Sequence, residues 1–246
     1  MTNSLLANFS LDSLMTFGKA LIIGAIPALV WMMFWLQEDK EDPEPRGLII
    51  ATFILGMLGV LLVLPVQKFI LTLTTNQQNL IILWAFAEEI VKFALVILII
   101  KPSRQINQPV DYAIYLMIVG LGFAALENTL YIIKPLIVKD ATVVFLTGNL
   151  RFMGSTLLHA TTSGLIGMMM GLAFFQNRFI KDMSTLVGLA LAVLLHSTFN
   201  LFIMKGEGKS TLQIFIFLWV VTVISILVFE KLRRMSGDYI PLEEVA

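Results

Sequence analysis

Long apolar runs, each about the 20 residues a helix needs to cross a bilayer, recur along this sequence with only short polar connectors between them. No other feature limits the fold so strongly. Backbone inside hydrocarbon must satisfy its own hydrogen bonds, so a run of this length crosses as a helix. Residues 48–71 show the type: their only charged member is Lys68, close to one end. Spans are expected at approximately 18–36, 48–71, 80–100, 112–133, 150–175, 183–204 and 211–229. The expected fold class is all-α, a polytopic transmembrane helical bundle of about seven spans. No connector is long enough to be a separate soluble domain, so residues 1–246 are read as one integral membrane domain. Composition agrees: 58% of the residues are hydrophobic and 14% charged, against about 25% charged in soluble domains. The chain has no cysteine, which excludes disulfides, thiolate metal sites and cysteine lipidation. A formal net charge of zero gives no sign of nucleic-acid binding. The expected partner on these grounds is the lipid bilayer.

No basic residue precedes Lys19, and no small-residue cleavage site follows the first apolar run, so that run is expected to remain as a span. Orientation follows from the Lys/Arg balance. Connectors after spans one, three, five and seven hold Lys40, Arg46, Lys101, Arg104, Arg178, Lys181, Lys231, Arg233 and Arg234. The opposite connectors hold Lys134, Lys139, Lys205 and Lys209, with Lys19 and Lys68 near helix ends. This places the N-terminus outside the cell membrane and the C-terminus in the cytoplasm.

Ionisable residues interrupt several spans: Glu88, Glu89, Lys92, Glu127, His159 and His196. A charge at the centre of a spanning helix costs about 2.5–3.5 kcal/mol, so such groups face a bundle interior or a water-filled cavity. Their depths coincide. At 1.5 Å per residue, Glu88 and Glu89 lie roughly 12 Å, Glu127 about 10 Å, His159 about 13 Å and His196 about 12 Å below the outer ends of their spans. Helices of alternating direction thus carry their polar residues in one layer, which argues for one composite site. Spacing within the helices agrees. Glu88 and Lys92 are four apart with Glu on the favourable side; Phe123, Glu127 and Tyr131 form one stripe, and His196 and Asn200 another. Ser155, His159, Ser163, Gly167 and Gly171 make a small-residue stripe that lets helices approach closely.

Each feature also has a plain structural reading. Glu88–Lys92 fits a packing ion pair, a lone intramembrane His an interhelical hydrogen bond, Asn128 and Asn200 polar glue, and the Ser/Gly stripe simple packing. Arg151, near a span end, is expected to snorkel to the interface, as is Lys68. The shared depth of the set, not any one member, favours function.

Known intramembrane chemistries narrow the choice. There is no HExxH. Every aspartate lies outside the expected spans, which removes an aspartyl dyad, and Ser155 is not part of a GxSG element. Adjacent helical positions point about 100° apart, so one of Glu88 and Glu89 is expected to do the chemistry and the other to position it. The motifs are AEEIVK at 87–92, GFAALENTLY at 122–131, His159 within RFMGSTLLHA, HSTFN at 196–200 and DPEP at 42–45. Together, in this order, they resemble the PrsW family of intramembrane proteases, related to CAAX prenyl endopeptidases and bacteriocin-immunity-type membrane proteases. The likeness covers nearly the whole chain.

The resemblance implies an endopeptidase that cleaves a membrane-anchored protein or peptide with a glutamate-activated water. Glu88 would be the general base and Glu89 its orienting partner. His159 and His196 would position the water, hold charge or donate to the leaving amine, and Asn200 would stabilise the oxyanion. Glu127 stands where CAAX-type relatives carry a histidine; Lys92 and Asn128 would support the site. The resemblance also permits zinc on Glu88, Glu127, His159 and His196, with the metal-free glutamate mechanism preferred. A membrane-spanning anti-sigma factor is the target of one family member. Two other classes remain open on the residues alone: an ion-coupled transporter with a Glu/Lys/His relay, and a non-enzymatic scaffold or immunity protein.

Overall fold

The computed structural model describes residues 11–38, 43–103, 105–205 and 211–237. Among the described residues there are helices and no strands. In chain order they are α1 (Leu11–Glu38), α2 (Arg46–Leu73), α3 (Gln77–Ser103), α4 (Asp111–Ile137), α5 (Ala141–Leu150), a π-turn (Arg151–Ser155), α6 (Thr156–Leu172), α7 (Arg178–Lys205) and α8 (Thr211–Gly237). The polytopic helical bundle expected from the apolar runs is what forms. Five helices are by themselves long and apolar enough to cross a membrane: Asp12–Gln37, Arg46–Leu73, Asp111–Ile137, Arg178–Met204 and Leu212–Met235. Glu88, Glu89 and Lys92 lie on α3 and His159 on α6, which do not meet that measure by themselves.

Local sequence sets the ends of these helices. Asn76 Oδ1 accepts from the amides of Gln78 (2.9 Å) and Asn79 (3.2 Å) and so caps α3. Asp111 Oδ2 gathers the amides of Asn107 and Gln108 at 2.8 and 2.7 Å before α4. Lys139 adopts a left-handed φ of 56° and turns the chain out of α4. Asp140 then caps α5 by accepting from the Val143 amide at 3.0 Å.

Two expectations need correction. The first helix begins at Leu11 rather than 18; Asp12 and Ser13 read as connector, yet Thr16 Oγ1 bonds the Asp12 carbonyl (2.8 Å) inside the first turns. The fifth pass is not one helix over 150–175. It is α5, the π-turn and the 17-residue α6, ending at Leu172. Of the acidic connector at 42–45, Asp42 lies outside the described residues, while Glu44 is buried and accepts a hydrogen bond from the Tyr115 hydroxyl.

Helix α4 forms the centre. From Ala113 to Ala125 nearly every side chain is buried, whereas α2 and α8 present Leu58, Leu61, Leu62 and Leu227 outward. Apolar side chains gain nothing from meeting each other rather than lipid, so membrane helices associate through close packing of small residues. Gly120 and Gly122 supply it here. A Cβ on Gly122 would strike the carbonyl of Phe53 in α2, and one on Gly120 the carbonyl of His159 in α6. These contacts fix the distance between α4 and the helices that bring Gln67 and His159 to the site.

Candidate active site

Glu88 and Glu89 diverge from α3 into different surroundings. Glu89 is fully buried. Its Oε1 accepts from Lys92 Nζ at 2.6 Å, His196 Nδ1 at 2.7 Å and Thr162 Oγ1 at 3.1 Å. The Glu88–Lys92 pair expected from i,i+4 spacing is therefore replaced by Glu89–Lys92 at i,i+3. Glu88 has one oxygen held, its Oε1 accepting from Gln67 Nε2 at 2.9 Å. The other, Oε2, is buried without a hydrogen-bond partner among the described residues and lies 3.6 Å from His196 Nε2.

The two histidines stand edge to face, their ring centroids 5.1 Å apart and their planes at 85°. Hydrogen bonding assigns their tautomers. A carboxylate only accepts, so His196 Nδ1 carries the hydrogen given to Glu89, and Nε2 faces Glu88 Oε2 at 3.6 Å. Lys92 Nζ lies 3.1 Å from His159 Nδ1 and 5.0 Å from the centre of the Phe123 ring. An ammonium only donates, so His159 accepts at Nδ1 and carries its hydrogen on Nε2. That nitrogen faces Glu127 Oε2 at 3.0 Å.

Glu127 is bound on its far side by Arg151 and by Ser155 Oγ at 3.3 Å. Arg151 Nη2 also donates to Ser155 Oγ at 2.8 Å, and Nε donates to Asn128 Oδ1. Its guanidinium carbon lies 4.0 Å from the centre of the Tyr131 ring. Asn128 donates in turn to Thr156 Oγ1 at 2.9 Å and to the Gly24 carbonyl at 3.3 Å.

A cavity of about 600 Å³ opens beside this network. Its polar lining is Gln67, Glu88, Glu127, Arg151, Ser155, His159, His196 and Asn200, and its apolar walls include Val60, Trp84, Phe123, Leu158 and Phe199. Glu89 and Lys92 are buried behind the wall. The residues picked out by shared depth thus meet, and Asn200 joins them one turn from His196.

Four residues were missed or misread. Gln67 touches Glu88 but sits in an apolar run, where one amide next to Lys68 reads as a helix end. Ser155 read as a packing residue, and Thr162 carried no signal. Arg151 does not snorkel to an interface; it turns inward onto Glu127. Its spacing gave a signal, for Arg151, Ser155 and His159 follow one another at intervals of four.

For a divalent cation the donor set is mixed. Glu88, His159 and His196 each offer a ligand atom, all within 4.8 Å of one another. The orphaned Glu88 Oε2 suits a cation, and the Glu89 carboxylate behind His196 is the usual support for a metal-binding imidazole. His159 does not suit one as it is set. Lys92 takes its Nδ1 lone pair, and Nε2 points a hydrogen at Glu127. Glu127, expected among zinc ligands, lies outside the close group and is bound to Arg151.

A bundle of membrane-length helices enclosing a connected Glu/His/Lys/Arg network beside a cavity is the architecture of a polytopic membrane protein with an internal reactive site. Residues 44–228 match the PrsW family intramembrane metalloproteases, and the chain belongs to that family. It is 31% identical to Protease PrsW of Oceanobacillus iheyensis over 205 residues, covering 80% of this chain and 90% of the relative. It is 26% identical to Protease PrsW of Bacillus subtilis, covering 80% and 88%, and 25% identical to that of Shouchella clausii, covering 88% and 99%. No solved structure matches the chain. The protein is accordingly a multi-pass intramembrane protease of the PrsW family.

Proposed function

We propose that this protease hydrolyses a peptide bond of a membrane-anchored protein with Glu88 as general base and without a catalytic metal. One observation carries the reading: of the carboxylates at the cavity, Glu88 alone keeps a buried oxygen with no hydrogen-bond partner among the described residues. Gln67 holds Oε1, so Oε2 is the oxygen that takes a proton from a cavity water. The His196 Nε2 lone pair, 3.6 Å away, accepts the second hydrogen of that water and aims its oxygen. The oxygen adds to the scissile carbonyl, and the C–N bond breaks as Glu88 passes its proton to the leaving amine. Asn200 donates to the oxyanion, a contribution typically worth about 2.7–4 kcal/mol. Glu89 and Lys92 hold His196 and His159 from behind, and Glu127 holds His159 from the side.

The Lys/Arg balance puts the N-terminus outside and the C-terminus in the cytoplasm. The polar layer then lies nearer the outer face, and cleavage falls near the extracytoplasmic boundary of the substrate's membrane segment. A membrane-spanning anti-sigma factor or a similar regulator is the kind of target the family resemblance suggests.

The test is cleavage of a panel of single-span membrane proteins by the detergent-purified protein, with fragments mapped by mass spectrometry. Glu88→Gln should abolish cleavage while leaving the protein folded, since an amide is no base. Near-normal cleavage by that variant moves the base elsewhere, and cuts in cytoplasmic segments reverse the orientation.

A further inference from the structure

Glu88 and Glu127 both present carboxylates to the cavity, and a mechanism with one base needs one of them engaged. Arg151 lines the same cavity and engages Glu127. Its Nη2 also donates to Ser155 Oγ at 2.8 Å, its Nε to Asn128 Oδ1, and its guanidinium carbon sits over the Tyr131 ring. The backbone supports this placement. Arg151 opens the π-turn, in which the Thr156 amide bonds back to the Arg151 carbonyl five residues earlier. Such turns are rare, and they are frequently found at functional sites. Asn128 is itself fixed by donating to Thr156 and Gly24, so its Oδ1 is left facing Arg151.

We propose that Arg151 is a positioning residue for the reaction: it pins Glu127 Oε2 as the fixed acceptor for His159 Nε2–H, which orients the His159 ring and, among the described residues, leaves Glu88 Oε2 the buried carboxylate oxygen at the cavity without a hydrogen-bond partner. Only a planar fork serves both partners, because Nε and Nη2 reach Asn128 and Glu127 along fixed, separate directions. A lysine ammonium meets one of them at a time. Without Arg151, Glu127 turns to water in the cavity, His159 loses its fixed acceptor, and a second carboxylate competes for the proton that Glu88 takes. The catalytic consequence rests on the reading of Glu88 as base; the effect on the His159 Nε2–H hydrogen bond does not.

The chain has only 2 histidines, so ring ¹⁵N spectra of the full protein in detergent micelles are readily assigned, with His196→Gln to tell them apart. In the wild type His159 should show a single tautomer protonated on Nε2. In Arg151→Gln Lys92 still keeps Nδ1 the acceptor, while the Nε2–H loses its fixed partner, so the His159 Nε2 and Nε2–H resonances should shift. A loss of packing glue alone would lower stability and leave that signal unchanged. In parallel, turnover is followed on a reporter with one apolar helix of about 20 residues between two soluble tags. Arg151→Gln should lower kcat by about 10–100-fold with KM within about three-fold, and Arg151→Lys should restore part of the loss. A folded Arg151→Gln with wild-type kcat and an unchanged His159 signal overturns the proposal. A rise in KM alone overturns it too, and makes Arg151 a substrate contact. If Arg151→Gln does not fold, the double variant Glu127→Gln/Arg151→Gln removes both charges together. Its turnover should be no lower than that of Glu127→Gln, and a further multiplied loss refutes action through Glu127. If the wild type shows no Glu88-dependent cleavage of the reporter, the assignment of Glu88 fails, while the histidine spectra still decide the role of Arg151.

Discussion

Replacing Gly120 with alanine should destabilise the bundle and disable the site together, because this glycine sets the spacing between α4 and α6. A Cβ there would stand 2.8 Å from Ser163 Oγ and 3.0 Å from Ser163 Cβ, and nearer still to the His159 carbonyl oxygen. Carbon contacts settle near ~3.5 Å, so α6 has to retreat by about 0.5–1 Å. His159 travels with it. Its Nδ1 is 3.1 Å from Lys92 Nζ and its Nε2 3.0 Å from Glu127 Oε2. A retreat of about 1 Å carries both beyond hydrogen-bond range. Overpacking of this kind costs about 1–3 kcal/mol of stability, and a misplacement of about 1 Å at a catalytic group costs on the order of 10²-fold in rate. The assay pairs thermal unfolding in detergent with turnover of the single-span reporter. Gly18→Ala is the control, since nothing lies within 4 Å of a Cβ built there; it should be neutral or stabilise by up to ~1 kcal/mol. If Gly120→Ala unfolds and turns over like that control, the α4–α6 spacing does not set the geometry of His159, and the reasoning is refuted.

Glu89→Gln leaves the fully buried Lys92 ammonium without its carboxylate, and breaking such a pair typically costs about 3–5 kcal/mol; Glu88→Gln, at the cavity wall, should lose turnover with far less stability, and equal unfolding shifts would deny the division of labour. Asn200→Ala should reduce kcat by about 10²–10³-fold with little change in KM, the mark of a donor acting in the transition state; a change in KM alone would make Asn200 a binding residue. Elemental analysis of the purified protein should find no stoichiometric zinc, and strong chelators should leave reporter turnover intact; activity lost to a chelator and restored by zinc would instead place a cation on Glu88 and the histidines. Single cysteines added to this cysteine-free chain at 37–47, 101–110 or 176–182 should resist a membrane-impermeant reagent in intact cells, whereas those at 72–79 or 205–210 should react; the reverse pattern inverts the topology.

What the sequence by itself determined follows from the cost of polar groups in lipid. A run such as residues 48–71 has one stable way to lie in a bilayer, so the passes were legible from composition and length. Glu88, Glu89, Glu127, His159 and His196 were legible as one layer for the same reason, since buried charge requires partners and partners require a common depth. Depth is a property of each helix alone, which is why a single sequence reveals it.

Pairing is not a property of one helix, and there the tertiary structure decided. Lys92 can reach Glu88 or Glu89 from the same helix. It takes Glu89 because α6 and α7 bring Thr162 and His196 to that carboxylate and His159 to Lys92, while α2 brings Gln67 to Glu88. Arg151 turned inward for a similar reason. Near the end of an expected span it reads as a snorkelling cation, but α5 carries the pass further and the π-turn places its guanidinium over Glu127 and Tyr131. Burial preferences along the chain say which groups must leave the lipid; only the helices packed around α4, at distances set by Gly120 and Gly122, say which of those groups meet.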